Sequence, residues 1–166
     1  MEECTAGIGR PRSATPIDAA WRLALRLGFQ AACVWWSVRR PSHQGVQAVI
    51  TLRNRLLLVR SSYRPEWGLP GGGVRAGETA RHAMDRELQE ELGIGLPALT
   101  PAGSASGIWD GRRDTVQFFT AQLEGLPEMR WDNREIIGAR LFAPEELAGL
   151  RVTGPVRAYL AGYCAG

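Results

Sequence analysis

The spacing of hydrophobic positions changes period along the chain. Between residues 17 and 38 apolar side chains recur at steps of three and four. Ile17, Trp21, Ala24, Gly28, Ala31, Trp35 and Val38 share one face, while Arg22, Arg26, Gln30 and Ser37 lie on the other side. This predicts an amphipathic helix that Asp18 caps and that runs to about Val38. Residues 1–16 hold Gly, Pro, Ser and Thr without period and read as a flexible tail. From Val46 the pattern becomes strand-like. VQAVITL and RLLLVR are rich in β-branched and aliphatic residues, with Arg53-Asn54 as the turn between them. A Gly/Pro-rich stretch, SSYRPEWGLPGGGVRAGE, follows and reads as a loop. Helical spacing returns from about Thr79 to Leu92 and stops at Gly93. Two more strands, near 99–109 and 115–123, flank Asp110-Gly111, a strong hairpin signal. EIIGARLF reads as a further strand, Pro144-Glu145-Glu146 opens a short helix, and 152–161 forms the last one. Strands and helices mix without regular alternation. The expected fold class is therefore α/β of the α+β kind, a mixed sheet with helices on its faces.

The N-terminal helix is expected to pack on the domain, or on a second copy of the chain as a homodimer. Trp35, Trp36, Arg39 and Arg40 resemble an interfacial belt, so contact with a membrane surface is the less favoured alternative. The apolar run 27–38 is too short to span a bilayer, which needs about 20 residues. Asp18 and the arginines also break up any secretory signal.

Composition narrows the chemistry. The chain has 166 residues and a net charge of +3, and all 20 of its basic residues are arginine. Without lysine there is no Schiff base and no phosphate loop ending in Gly-Lys-Ser/Thr. The two histidines, His43 and His82, and the three cysteines, Cys4, Cys33 and Cys164, show no zinc-ligand spacing. An odd, scattered cysteine set suits a reducing cytoplasm. A charge of +3 is too mild for stable nucleic-acid binding, yet it suits a small anionic ligand held by local arginines.

Carboxylates, arginines and hydroxyls remain, and they concentrate between Gly72 and Ile94. On a wheel of 100° per residue, Glu91 lies about 40° from Glu87, and Glu90 about 60° on the other side. Three carboxylates thus share about a third of the helix surface, beside the apolar stripe Ala80, Met84, Leu88 and Leu92. Arg86 can pair with Glu90, which allows a plain solvated face. An acidic cluster at the margin of a core stripe is better explained by a divalent cation. Oxygen-only donors indicate Mg²⁺ or Mn²⁺, ions suited to phosphate substrates.

This segment resembles the Nudix box, G-x5-E-x7-R-E-U-x-E-E-x-G-U with U aliphatic. Gly72, Glu78, Arg86, Glu87, Leu88, Glu90, Glu91, Gly93 and Ile94 fill every specified position. The resemblance, to MutT-like Nudix hydrolases, implies an α/β/α sandwich over residues 41–166, with the helix at 17–40 outside it. It implies a hydrolase that cleaves a diphosphate linkage in a nucleoside diphosphate derivative, using water and a divalent cation. Glu87, Glu90 and Glu91 would then hold Mg²⁺ or Mn²⁺, with the Gly71 carbonyl as a further ligand. Arg86 and Glu78 would support them, and Glu87 or Glu135 would act as base. Arg60 and Arg64 are the first candidates to clamp phosphate, with Arg112 and Arg113 behind them. Trp67, Trp109 or Phe118 are candidates to stack on a base. The alternative is a catalytically silent fold of the same family that binds a nucleotide. No signature selects a substrate subclass.

Overall fold

A computed structural model describes residues 9–11, 13 and 15–163. The central sheet is built around a long strand, β2 (Ser42–Leu52). One edge of β2 pairs in parallel along its whole length with β7 (Arg112–Leu123). The other edge is shared. Antiparallel β5 (Gly71–Gly73) takes residues 45–47, and antiparallel β3 (Arg55–Ser61) takes 51 and 52. β6 (Thr100–Trp109) extends the sheet beyond β7, while β4 (Trp67–Gly68) and β9 (Ile136–Phe142) pair with β3. The sheet is mixed, as expected. The hairpins also fall where expected, with Arg53, Asn54, Asp110 and Gly111 all at positive φ.

Strand alternation divides the core in two. Val46, Ala48, Ile50, Leu57, Val59, Phe119 and Ala121 face one side. There they meet Ala83, Met84, Leu88 and Leu92 of α2 (Ala80–Leu92), the stripe read from the sequence joined by Ala83. Val49, Leu56, Leu58, Val116 and Phe118 face the other side and cover Val156 of α4 (Gly154–Tyr163). A single turn, α3 (Pro144–Leu147), precedes α4. The result is the expected α/β/α sandwich.

Three expectations about the N-terminal region change. Of the expected tail, most lies outside the described residues, but Gly9–Pro11 forms a strand, β1, parallel to β8 (Met129–Trp131). The helix α1 (Pro16–Arg39) is capped by Thr15 rather than Asp18. Asp18 is the third helical residue, fully buried, and closes a capping box with Thr15. The helix also docks by a face other than the one expected. Ile17, Trp35 and Val38 are 63%, 58% and 78% exposed. Asp18, Arg22, Leu25, Phe29, Cys33 and Trp36 turn inward instead. The reason is polar. Arg134 Nε donates to Asp18 at 2.9 Å, Arg22 Nε donates to the Asn133 carbonyl at 2.8 Å, and Arg26 Nε donates to the Ser62 carbonyl at 2.8 Å. Apolar side chains occur on both faces, so three directed bonds decide between them. No helix among the described residues is long and apolar enough to cross a membrane.

Candidate active site

The Gly/Pro-rich stretch read as a loop contains β5, whose glycines are required by contact. A Cβ on Gly71, which sits at φ 140°, would lie 2.1 Å from the Val46 carbonyl oxygen. A Cβ on Gly72 would lie 2.6 Å from the Glu87 carboxyl. The backbone thus passes directly over the acidic face of α2. The Gly71 N–H donates to Glu91 Oε2 at 2.8 Å. Thr79 caps α2 at one end by accepting from the His82 N–H, and Gly93 at φ 67° ends it at the other.

Arg86 is the hub of this face. Its Nε and Nη2 fork onto the two oxygens of Glu78 at 2.9 and 3.0 Å. Nη2 also donates to the Gly73 carbonyl at 2.9 Å, and Nη1 reaches Glu87 at 2.6 Å and Glu90 at 3.1 Å. The Arg86 hydrogen bonds hold the Glu78 carboxyl down at about 2, helped by the Arg75 N–H. In turn they raise the Arg86 guanidinium above its ordinary value. Among the described residues, no arginine bonds Glu91. Burial pushes it well above the carboxylate range, against the Gly71 N–H and with the charges of Glu135, Glu87 and Glu90.

A cavity of about 520 Å³ opens over these groups, lined by Glu87, Glu90, Glu91 and Glu135. Glu135 stands at the end of a loop just before β9, and the Tyr63 hydroxyl lies 3.4 Å from its Oε1. Burial, then the charge of Glu87, raises the Glu135 carboxyl, and burial raises the Tyr63 phenol to about 12. Arg64 and Arg112 line the same cavity. Arg64 pairs with Asp110 at 3.1 Å, and Arg112 Nε donates to Asp114 at 2.9 Å.

Among the described residues, no three acidic, histidine or cysteine side chains stand together as a formed metal site. Arg86 draws Glu87 and Glu90 to itself instead. The donor set still fits a hard divalent cation. Four glutamates share one cavity, and in two of them, Glu91 and Glu135, burial and then the neighbouring charges raise the proton affinity, a penalty that a cation would relieve.

Of the residues named from the sequence, Glu87, Glu90, Glu91, Glu135, Gly71, Arg86 and Arg64 line one cavity. Glu78 joins them through Arg86. Arg60 does not reach it. Val59 and Ser61 line the cavity, so Arg60 between them points the other way, into a separate cleft with Ile137. Trp67 likewise turns from the cavity and packs edge-on against Phe142, with ring centroids 4.9 Å apart. Phe118 is buried in the core beside Tyr159. Trp109 and Arg112 line the cavity, and Arg113 does not. Sequence reasoning missed His43, Tyr63, Asp110 and Asp114, which also line the cavity. His43 Nδ1 lies 3.0 Å from Asp114 Oδ1, and both face the cavity. Strand alternation places Asp114 on the side of Val116, but nothing in the local pattern links β7 to β2.

Comparison with known proteins places these features. An uncharacterized Nudix hydrolase of Listeria monocytogenes is 30% identical over 105 residues, covering 59% of this chain and 62% of that protein. The 8-oxo-dGTP diphosphatase of Proteus vulgaris is 38% identical over 53 residues, 32% of this chain and 47% of that one. The chain thus spans less than two thirds of the length of either curated relative. The crystal structure of a MutT NUDIX hydrolase from Burkholderia pseudomallei superposes with a TM-score of 0.65 at 28% identity, covering 72% of this chain and 96% of that chain. A NUDIX domain model matches residues 41–160, from the start of β2 into α4. On that match, and on the helix, glycine strand and arginine-bound carboxylates it encloses, the chain belongs to the NUDIX family.

Proposed function

We propose that the protein is a hydrolase that cleaves a diphosphate linkage in a nucleoside diphosphate derivative, with water attacking phosphorus. The observation that carries this reading is one cavity lined by four glutamates and by Arg64 and Arg112. Such a pairing suits a polyanion that must be both neutralised and attacked. Glu87, Glu90 and Glu91 are the side chains that would hold Mg²⁺ or Mn²⁺, with the Gly71 carbonyl beside them. When bound, the cation supplies charge neutralisation for the diphosphate. The chain's own residues do the rest. Arg64 and Arg112 orient phosphate oxygens, and Arg86 keeps Glu87 and Glu90 on the cavity side of α2. Glu135, whose carboxyl has a raised affinity for protons, or Glu87 accepts the proton of the attacking water.

The Proteus relative is named a diphosphatase of 8-oxo-dGTP, which supports a nucleotide substrate here. The silent alternative draws no support from the box, because every glutamate it specifies is present. The test is a panel of nucleoside triphosphates, nucleotide sugars and dinucleoside polyphosphates with Mg²⁺ or Mn²⁺, read by phosphate release. Wild type is expected to turn over at least one member, and Glu90→Gln to be slower by about 100-fold or more. Equal release by both proteins would overturn the reading.

A further inference from the structure

A second cleft, of about 430 Å³, lies between α1 and the cavity just described. Its α1 wall carries Trp21, Leu25, Gly28, Phe29 and Trp36. Tyr63, Arg64, Arg112 and Glu135 line this cleft and the carboxylate cavity alike, so the two spaces meet at these four side chains. At the junction the arginines already stack on rings. The Arg64 guanidinium carbon sits 4.6 Å from the Phe29 ring centre and 5.4 Å from that of Tyr63, and the Arg112 carbon sits 4.4 Å from the Trp36 ring. Arg64 Nε is buried and has no hydrogen-bond partner among the described residues.

We propose that this cleft is a subsite for an uncharged, apolar group joined to the diphosphate, held between the rings of α1 while Arg64 and Arg112 take the phosphates. The inference rests on the diphosphate reading and adds to it the chemistry of one arm of the ligand. Charge selects the orientation. The two guanidiniums stand where the spaces meet, so the anionic end lies towards the carboxylate cavity and the apolar end under α1. The polar atoms facing the cleft are few. Tyr63 and Glu135 are already turned to each other, the guanidiniums serve phosphate, and the indole N–H groups of Trp21 and Trp36 donate but do not accept, so a nucleobase edge, which needs both, is poorly matched there. A hydrocarbon or simple aromatic group needs none. Because α1 lies ahead of the residues that match the NUDIX model, this wall belongs to the chain's own N-terminal segment.

Gly28 permits a direct test. Gly28 lines the cleft, and a Cβ built on it meets nothing within 4 Å, so a side chain starts there in open space and also favours the helix. The probes are benzyl diphosphate and methyl diphosphate, which share their anionic end. Binding to wild type, Gly28→Ala and Gly28→Leu is measured by calorimetry, with thermal melts confirming that each variant is folded. Wild type is expected to bind the benzyl ester at least tenfold more tightly. Gly28→Ala should narrow the preference, and Gly28→Leu should remove it. Tight but equal binding of both esters to wild type would overturn the subsite and leave the diphosphate reading standing. A preference unchanged in Gly28→Leu would overturn it as well. Failure of both esters to bind would overturn the subsite, while the diphosphate reading stands or falls separately on the nucleotide panel.

Discussion

The two sides of the candidate site are built in different ways. On the α2 side, the groups come from one run of 23 residues, and a single arginine ties four of them. Arg86 holds Glu78, Glu87, Glu90 and the Gly73 carbonyl, all within 13 positions of itself. On the α1 side, the ties are long-range. Asp18 and Arg134 are 116 positions apart, Arg22 and Asn133 are 111 apart, and Arg26 and Ser62 are 36 apart. These bonds fix the loops that carry Tyr63, Arg64 and Glu135. The contrast shows that charge placed on a helix positions its own neighbours, whereas the opposite wall depends on where a separate helix docks.

Breaking the α2 side should have the larger effect. Arg86 is largely buried, and its removal leaves Glu78, Glu87 and Glu90 facing one another. Arg86→Ala is expected to cost about 2 kcal/mol in urea unfolding, a buried-pair loss discounted for partial exposure. Turnover should fall by about 10- to 100-fold, because the carboxylates lose their orientation. Arg86→Lys should recover little of either, since an ammonium cannot fork onto Glu78 while reaching Glu87. A full recovery by lysine would mean that α2 needs only the charge and not the guanidinium fork.

The α1 side can be tested by pH. Hydrogen bonds from Arg134, then from the Thr15 backbone and side chain, hold the Asp18 carboxyl well below the usual carboxylate range. A group whose pKa is depressed by folding adds stability above its unfolded value, about 3.9 for Asp, and that stability is lost as pH falls towards the folded value. Asp18→Asn should therefore melt at a lower temperature than wild type at pH 7. The gap should hold down to about pH 4 and close in stronger acid. Melting curves across that range check it. A gap that widened on acidification would show that Asp18 is not held ionised by Arg134.

Legibility in the sequence follows the same division. The α2 stripe, its glycine stop and the carboxylate face could be read because each depends on spacing within a few turns. The hairpin at Asp110-Gly111 could be read because positive φ selects those residues. The strand of three glycines at 71–73 could not, since glycine carries no strand signal and its pairing with β2 is set by contact. The docking face of α1 could not either. Its apolar pattern continues around the helix, and the choice is made by carbonyls at 62 and 133 and an arginine at 134 that no local pattern links to it. Arg60 shows the limit at one residue. Proximity to the site in sequence suggested a phosphate clamp, but alternation along β3 turns it away, while Arg64, past the bulged end of the strand, faces the cavity.

The smallest expected effect compares the two helix starts. Thr79 accepts one bond, from the His82 N–H at 3.2 Å, so Thr79→Ala should cost about 0.5 kcal/mol. Thr15 accepts from the Asp18 N–H at 3.3 Å, and its hydroxyl also donates to Asp18 Oδ2 at 2.8 Å. Thr15→Ala removes a cap and loosens the carboxylate that Arg134 holds, so about 1 kcal/mol is expected in urea unfolding. Combining Thr15→Ala with Asp18→Asn should then cost less than the sum of the two, because both act on one linkage. Additive losses would mean that the cap and the Arg134 tie work independently, and that α1 is held at its first turn by separate contacts.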